Sequence, residues 1–133
     1  MARYNTIIVD FNEKPGEIFV KQLRMLKERH KSRIIALVED MYSIANARKW
    51  FNEHVPGLFE DVISREGRTT VGLVKDCCKT YGHDETAVLY IGNLAQEEET
   101  PTFKVQNPKD MLESYNRAMG LLQGYTQLSK PIQ

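Results

Sequence analysis

Two patterns of apolar residues alternate along this chain and divide it into elements. Thr6-Ile7-Ile8-Val9 is a run of β-branched residues that stops at Asp10, with no polar residue breaking it. A strand with one solvated face would alternate, so this run predicts a strand covered on both faces. Ile34-Ile35-Ala36-Leu37-Val38, ending at Glu39-Asp40, and Ala87-Val88-Leu89-Tyr90-Ile91, ending at Gly92-Asn93, read the same way. Val62-Ile63-Ser64 and Thr102-Phe103-Lys104-Val105 supply shorter third and fifth strands.

Between the strands the apolar spacing changes to three and four, the spacing of one helix face. Ile18, Phe19, Leu23, Met25 and Leu26 mark a first helix after Pro15-Gly16, and Lys27, Arg29, His30 and Lys31 suit the negative end of its dipole. Ile44, Ala47, Trp50 and Phe51 mark a second that Pro56-Gly57 stops, with Trp50 expected in the core. Val71, Val74, Cys77, Cys78 and Tyr81 mark a third, opened by Thr69 or Thr70 as N-cap and closed by Gly82. Asn107-Pro108 opens a fourth, carrying Met111, Leu112, Tyr115, Met119 and Leu122. Strands alternating with helices call for an α/β fold, a three-layer Rossmann-like open parallel sheet of about five strands with helices on both faces. The pattern gives one domain over residues 1–122 and a tail over 123–133 without a clear period.

Composition narrows the function without naming it. The 133 residues are 41% apolar, and 18 lysines and arginines balance 18 aspartates and glutamates. No net field draws the protein to nucleic acid or anionic lipid, and no apolar run approaches a membrane span. Met1-Ala2-Arg3-Tyr4 leads straight into the first strand, with no room for a signal peptide. The two cysteines, Cys77 and Cys78, are adjacent, a spacing that suits neither a helical disulfide nor a metal site. They are expected as thiols in a reducing cytoplasm.

The polar groups gather where the strands stop, and ligands of open α/β sheets bind at the carboxyl ends of strands. Asp10 is the leading candidate there, although an aspartate in that place also serves as a plain loop cap. The stretch Val9-Asp10-Phe11-Asn12, then Val38-Glu39-Asp40, then Lys75 (or Lys79) on the third helix, then Leu89-Tyr90-Ile91-Gly92-Asn93 with Glu97 and Glu98, resembles the four ordered motifs of the haloacid dehalogenase (HAD) superfamily of phosphotransferases. The resemblance runs from Thr6 to about Leu122. With the strand pattern it implies a sheet ordered 3-2-1-4-5. It implies Asp10 as nucleophile, the Asn12 position for acid–base work and Lys75 as the phosphate-holding cation. It implies phosphate contacts at Glu39 and Asp40, and Mg²⁺ held by Asp10, Asn93 and Glu97.

The chain departs from that motif set in three places. Asn12 cannot pass a proton as a carboxyl does, and general acid–base help is worth ~10²–10⁴ in rate. Glu39 stands where the family places a phosphate-holding hydroxyl. Asn93 replaces an acid of the metal motif, so the expected Mg²⁺ site is weak. The loops after Phe11 and Ser64 are too short for a substrate-selecting cap. The resemblance thus implies a capless, Mg²⁺-dependent phosphohydrolase of weak or unusual activity, or an inactive HAD-like interaction or regulatory module. Lys75 also fits an ordinary solvated helix face, and Tyr125, Leu128 and Ile132 in the tail could dock on a partner or a second copy.

Overall fold

In a computed structural model the described residues are 4–11, 15–39, 42–95 and 99–113. Five strands form one all-parallel sheet in the order β3-β2-β1-β4-β5. In chain order they are β1 (Thr6–Asp10), β2 (Arg33–Val38), β3 (Asp61–Ser64), β4 (Val88–Ile91) and β5 (Lys104–Gln106), with helices α1 (Glu17–His30), α2 (Tyr42–His54) and α3 (Thr70–Tyr81) between them. This is the doubly wound arrangement that the alternation and the family resemblance imply.

β1 lies in the middle, between β2 and β4, and its Ile7, Ile8 and Val9 are all fully buried. Successive side chains of a strand point to opposite faces. Ile7, Val9 and Phe11 pack with Phe19, Leu23, Phe51 and Leu58 on the α1 and α2 face. Ile8 packs with Leu37, Val74 and Tyr90 on the α3 face. Asp10 shares the parity of Ile8, so its carboxylate is carried to the α3 face. Helical residues 108–113 belong to the first face, where Met111 and Leu112 adjoin the core.

Local chemistry sets the ends. The Thr69 hydroxyl accepts from the Gly72 amide at the start of α3, and Gly82 closes it in the left-handed conformation. Asn107 Oδ1 accepts from the amides of Lys109 and Asp110, as an N-cap does. α2 ends at His54, before Pro56-Gly57. Lys27 then donates to the carbonyls of Gly57 and Leu58 and holds the turn.

Three details differ from the sequence expectation. β5 begins at Lys104, two residues later than the apolar run, because Phe103 is buried edge-on against Tyr90 before the strand pairs. Trp50 is only half-buried, and its ring stacks on His54 at 4.5 Å. A 3₁₀ turn over Glu85–Ala87, without an apolar period of its own, precedes β4. Among the described residues no helix is long and apolar enough to cross a membrane. Asn12, Asp40, Glu97, Glu98, and the chain beyond residue 113 with the expected tail contacts lie outside the described residues.

Candidate functional site

The last pair between β1 and β4 is Val9 with Ile91. β1 continues against β2, where the Phe11 amide donates to Leu37, while Gly92 turns to β5 by donating to Gln106. The two central strands part at Asp10 and Gly92. This is the point where successive connections leave the sheet in opposite directions, and such a switch point opens a crevice. The class that fold and crevice define is a Rossmann-like α/β domain with its candidate site at the carboxyl ends of β1 and β4.

Asp10 is held there by two partners that are remote in sequence. Arg65 Nη2 donates to Asp10 Oδ2 at 2.7 Å, and the Tyr90 hydroxyl donates to the same oxygen at 2.9 Å. Among the described residues neither bond uses Oδ1. The ion pair is largely covered, with side-chain exposures of 19% for Arg65 and 14% for Asp10, so it is stronger than a surface pair and less screened by salt. Thr70 joins the partners: its hydroxyl accepts from Arg65 Nη1 at 2.9 Å and its side chain also hydrogen-bonds Tyr90. The result is a closed ring of Asp10, Arg65, Thr70 and Tyr90.

The turn after β3 sets Arg65 in place. Its amide pairs with Val38, and Glu66 and Gly67 follow with φ of 49° and 76°. Two consecutive positive φ values belong to the tight primed turns, and glycine supplies the second without strain. Arg68 folds back, donating to Arg65 and Ser64 carbonyls and pairing with Asp76. Burial lowers the Arg65 pKa, but attraction and hydrogen bonding to Asp10 outweigh it and leave it above its ordinary value.

Tyr90 is fully buried in β4 and its ring passes over position 92. A Cβ there would sit 2.5 Å from the Tyr90 hydroxyl and 3.0 Å from Asp10 Cβ, so Gly92 is what lets the phenol reach the carboxylate. Burial first, and the negative charge of Asp10 second, push the Tyr90 pKa up to about 12. Tyr90 is a donor at any neutral pH. Its folded pKa lies above the ordinary 10, so its stabilising contribution is whole below pH 10 and is lost as pH rises to about 12. That contribution is roughly 2–3 kcal/mol. Cys77 behaves alike between 9 and about 11, raised by burial and then by Cys78. Urea midpoints measured from pH 8 to 12 are expected to fall in two overlapping steps. Tyr90→Phe should shrink the upper one and Cys77→Ala the lower, to which Cys78, also raised by burial, contributes.

Two clefts flank Asp10. One, of about 440 Å³, is polar and bounded by Glu39, Arg65, Arg68, Thr69 and Thr70. The other, of about 370 Å³, is bounded by Phe11, Pro15, Phe19, Lys109 and Leu112. Both include Asp10, Asn93 and Pro108.

Of the expected site residues, the structure brings Asp10, Glu39 and Asn93 to this crevice. Lys75 is exposed on α3 and lines neither cleft; the cation at Asp10 is Arg65. Glu39 is an exposed acid on the rim, beside the arginines. Asn93 Oδ1 accepts from Asn107 Nδ2 at 2.5 Å. Among the described residues the oxygen donors at the crevice are the carboxylates of Asp10 and Glu39 and the amide oxygen of Asn93, which Asn107 already shares. Among the described residues no group of three His, Cys, Asp or Glu side chains gathers as a metal site.

Sequence reading passed over Arg65, Thr70, Tyr90 and Gly92. One signal was present: a tyrosine inside a wholly buried strand must find a partner for its hydroxyl. No family model, curated protein or solved structure matches the chain.

Proposed function

We propose that this chain is a haloacid dehalogenase-like domain that binds a phosphate ester at the Asp10 crevice and turns it over slowly, with Asp10 as nucleophile. The observation that carries this reading is the direct Asp10–Arg65 pair at the switch point of the sheet. A carboxylate beside a guanidinium can receive an anionic ester that a lone carboxylate would repel. Oδ1, which neither ring bond occupies, forms the bond to phosphorus as the ester P–O bond breaks. The departing oxygen takes its proton from water, because an amide at Asn12 cannot provide one. Water then attacks phosphorus, returning the Asp10 carboxylate and inorganic phosphate. Mg²⁺, when bound, neutralises phosphoryl charge. Arg65 offers the phosphoryl oxygens a fixed cation, and Tyr90 and Thr70 keep it and Asp10 in register.

A second reading, an inactive interaction or regulatory module, is favoured by one observation. Arg65 and Tyr90 both draw charge from Asp10 Oδ2, which lowers the nucleophilicity of the whole carboxylate. Two measurements separate the readings. With Mg²⁺, p-nitrophenyl phosphate is expected to turn over below about 1 s⁻¹, the lower end of ordinary enzymes. Acetyl phosphate should add one phosphoryl group to Asp10, detected by mass spectrometry and absent from Asp10→Asn. Turnover that survives Asp10→Asn counts against both the nucleophile and the site. A chain that neither turns over ester nor accepts the phosphoryl group is the module. A reducing cytoplasm is proposed as its compartment, in keeping with free Cys77 and Cys78.

A further inference from the structure

The cleft on the α1 side of Asp10 has no part in the chemistry above. Its apolar wall comes from Phe11, Phe19, Pro15, Pro108 and Leu112, and Asn93, Asn107 and Lys109 form its polar side. The phenyl walls are fixed from behind. Phe11 packs edge-on to Phe19 at 6.1 Å and against Phe51 at 5.5 Å, so the surface is preformed and costs little to order on binding. The polar cleft with Arg65 lies on the other side of Asp10, and the two meet at Asp10, Asn93 and Pro108.

On this juxtaposition, and resting on the Asp10 crevice being a phosphate site, we propose that the ligand is a small aryl phosphate. Its phosphoryl group faces Arg65, and its ring lies in this cleft along the apolar wall of Phe19 and Leu112. The polar groups of that cleft argue against a sugar as the organic part. Asn93 and Asn107 bond one another, and the remaining oxygen of Asn107 caps the Lys109 and Asp110 amides. Both amide oxygens already accept, so a polyhydroxyl body would find these acceptors occupied and would lose hydration on entering. A flat apolar ring needs no such partners. The volume, about 370 Å³, is at the lower end of small-molecule sites and takes a ring system rather than a length of peptide.

Methylphosphonate and phenylphosphonate differ only in the organic group and neither is hydrolysed, so calorimetric titration of the full chain with each isolates the ring. Phenylphosphonate is expected to bind roughly tenfold tighter, the part of the ring's burial that survives ordering costs. In Leu112→Gln the ratio of the two affinities should fall toward one. Should that variant fold poorly, nuclear Overhauser contacts from the ligand ring to Leu112 methyl and Phe19 ring protons in the unmodified chain carry the same information. Equal binding of the two phosphonates overturns the aryl assignment and leaves the phosphate site standing. Binding of neither overturns the phosphate site itself. A ring preference that persists in folded Leu112→Gln, or ring contacts to other residues, places the organic group elsewhere and overturns the proposal.

Discussion

Gly92→Ala is expected to destabilise the protein by about 3 kcal/mol, overpacking and a broken buried hydrogen bond adding to each other. The added methyl would lie 2.6 Å from Tyr90 Cζ and 2.5 Å from its hydroxyl, far inside contact distance. Neither neighbour can give way cheaply. The Tyr90 ring is fully buried and edge-packed on Phe103, and Asp10 is anchored by Arg65. The ring must therefore swing off Asp10 or β4 must shift against β1. Urea denaturation of Gly92→Ala, Tyr90→Leu and the double variant tests the cause. A leucine does not reach across position 92, so the double variant should be more stable than the sum of the single losses predicts. Strict additivity would mean that Gly92 serves the backbone turn and not the phenol.

Arg65→Ala is expected to cost about 2–3 kcal/mol, less than removing one partner of a fully buried pair because both side chains keep some contact with water. The loss has two parts. Asp10 keeps its charge under cover without a counter-charge, and the Thr70 hydroxyl loses a donor. Arg65→Lys should recover only part of the loss, since one ammonium lacks the fork that serves Asp10 and Thr70 together. Adding Asp10→Asn to Arg65→Ala should restore stability relative to Arg65→Ala alone, because it removes the stranded charge. A double variant as unstable as the sum of the single changes would show that the pair matters little and that Arg65 acts through the turn it opens. On the phosphate reading, Arg65→Ala should also abolish detectable methylphosphonate binding.

The fold was legible because its signals are local and repeated. Unbroken apolar runs at Ile7 and Ile34 mark strands covered on both sides, and the caps at Thr69, Gly82 and Asn107 are chemistry within four residues of the bonds they make. Asp10 was legible as a place, the end of the central strand. Its partners were not. Arg65 is 55 residues away and Tyr90 is 80; the first looks like an ordinary loop charge, and the second signals that its hydroxyl needs a partner without saying which. Lys75 was favoured by its helix and its distance along the chain. The register of α3 decides otherwise: Val71, Val74 and Cys78 turn inward and leave Lys75 on the solvent side. Trp50 shows the same limit, because helical spacing gives a direction and not a depth. Long-range pairing is where a single chain's pattern is silent, and this site is built from it.

The two outermost strands are short, four residues in β3 and three in β5, while the inner strands β4, β1 and β2 have four, five and six. An open sheet presents a row of unpaired amides and carbonyls at each margin, a template on which another chain can lay a strand and seed aggregation. Here the template is brief on both sides. β3 begins with Asp61, paired to Arg48, and β5 begins with the exposed Lys104, so an incoming backbone meets charge before it can lengthen the ladder. Among the described strands, such margins disfavour polymerising by strand addition.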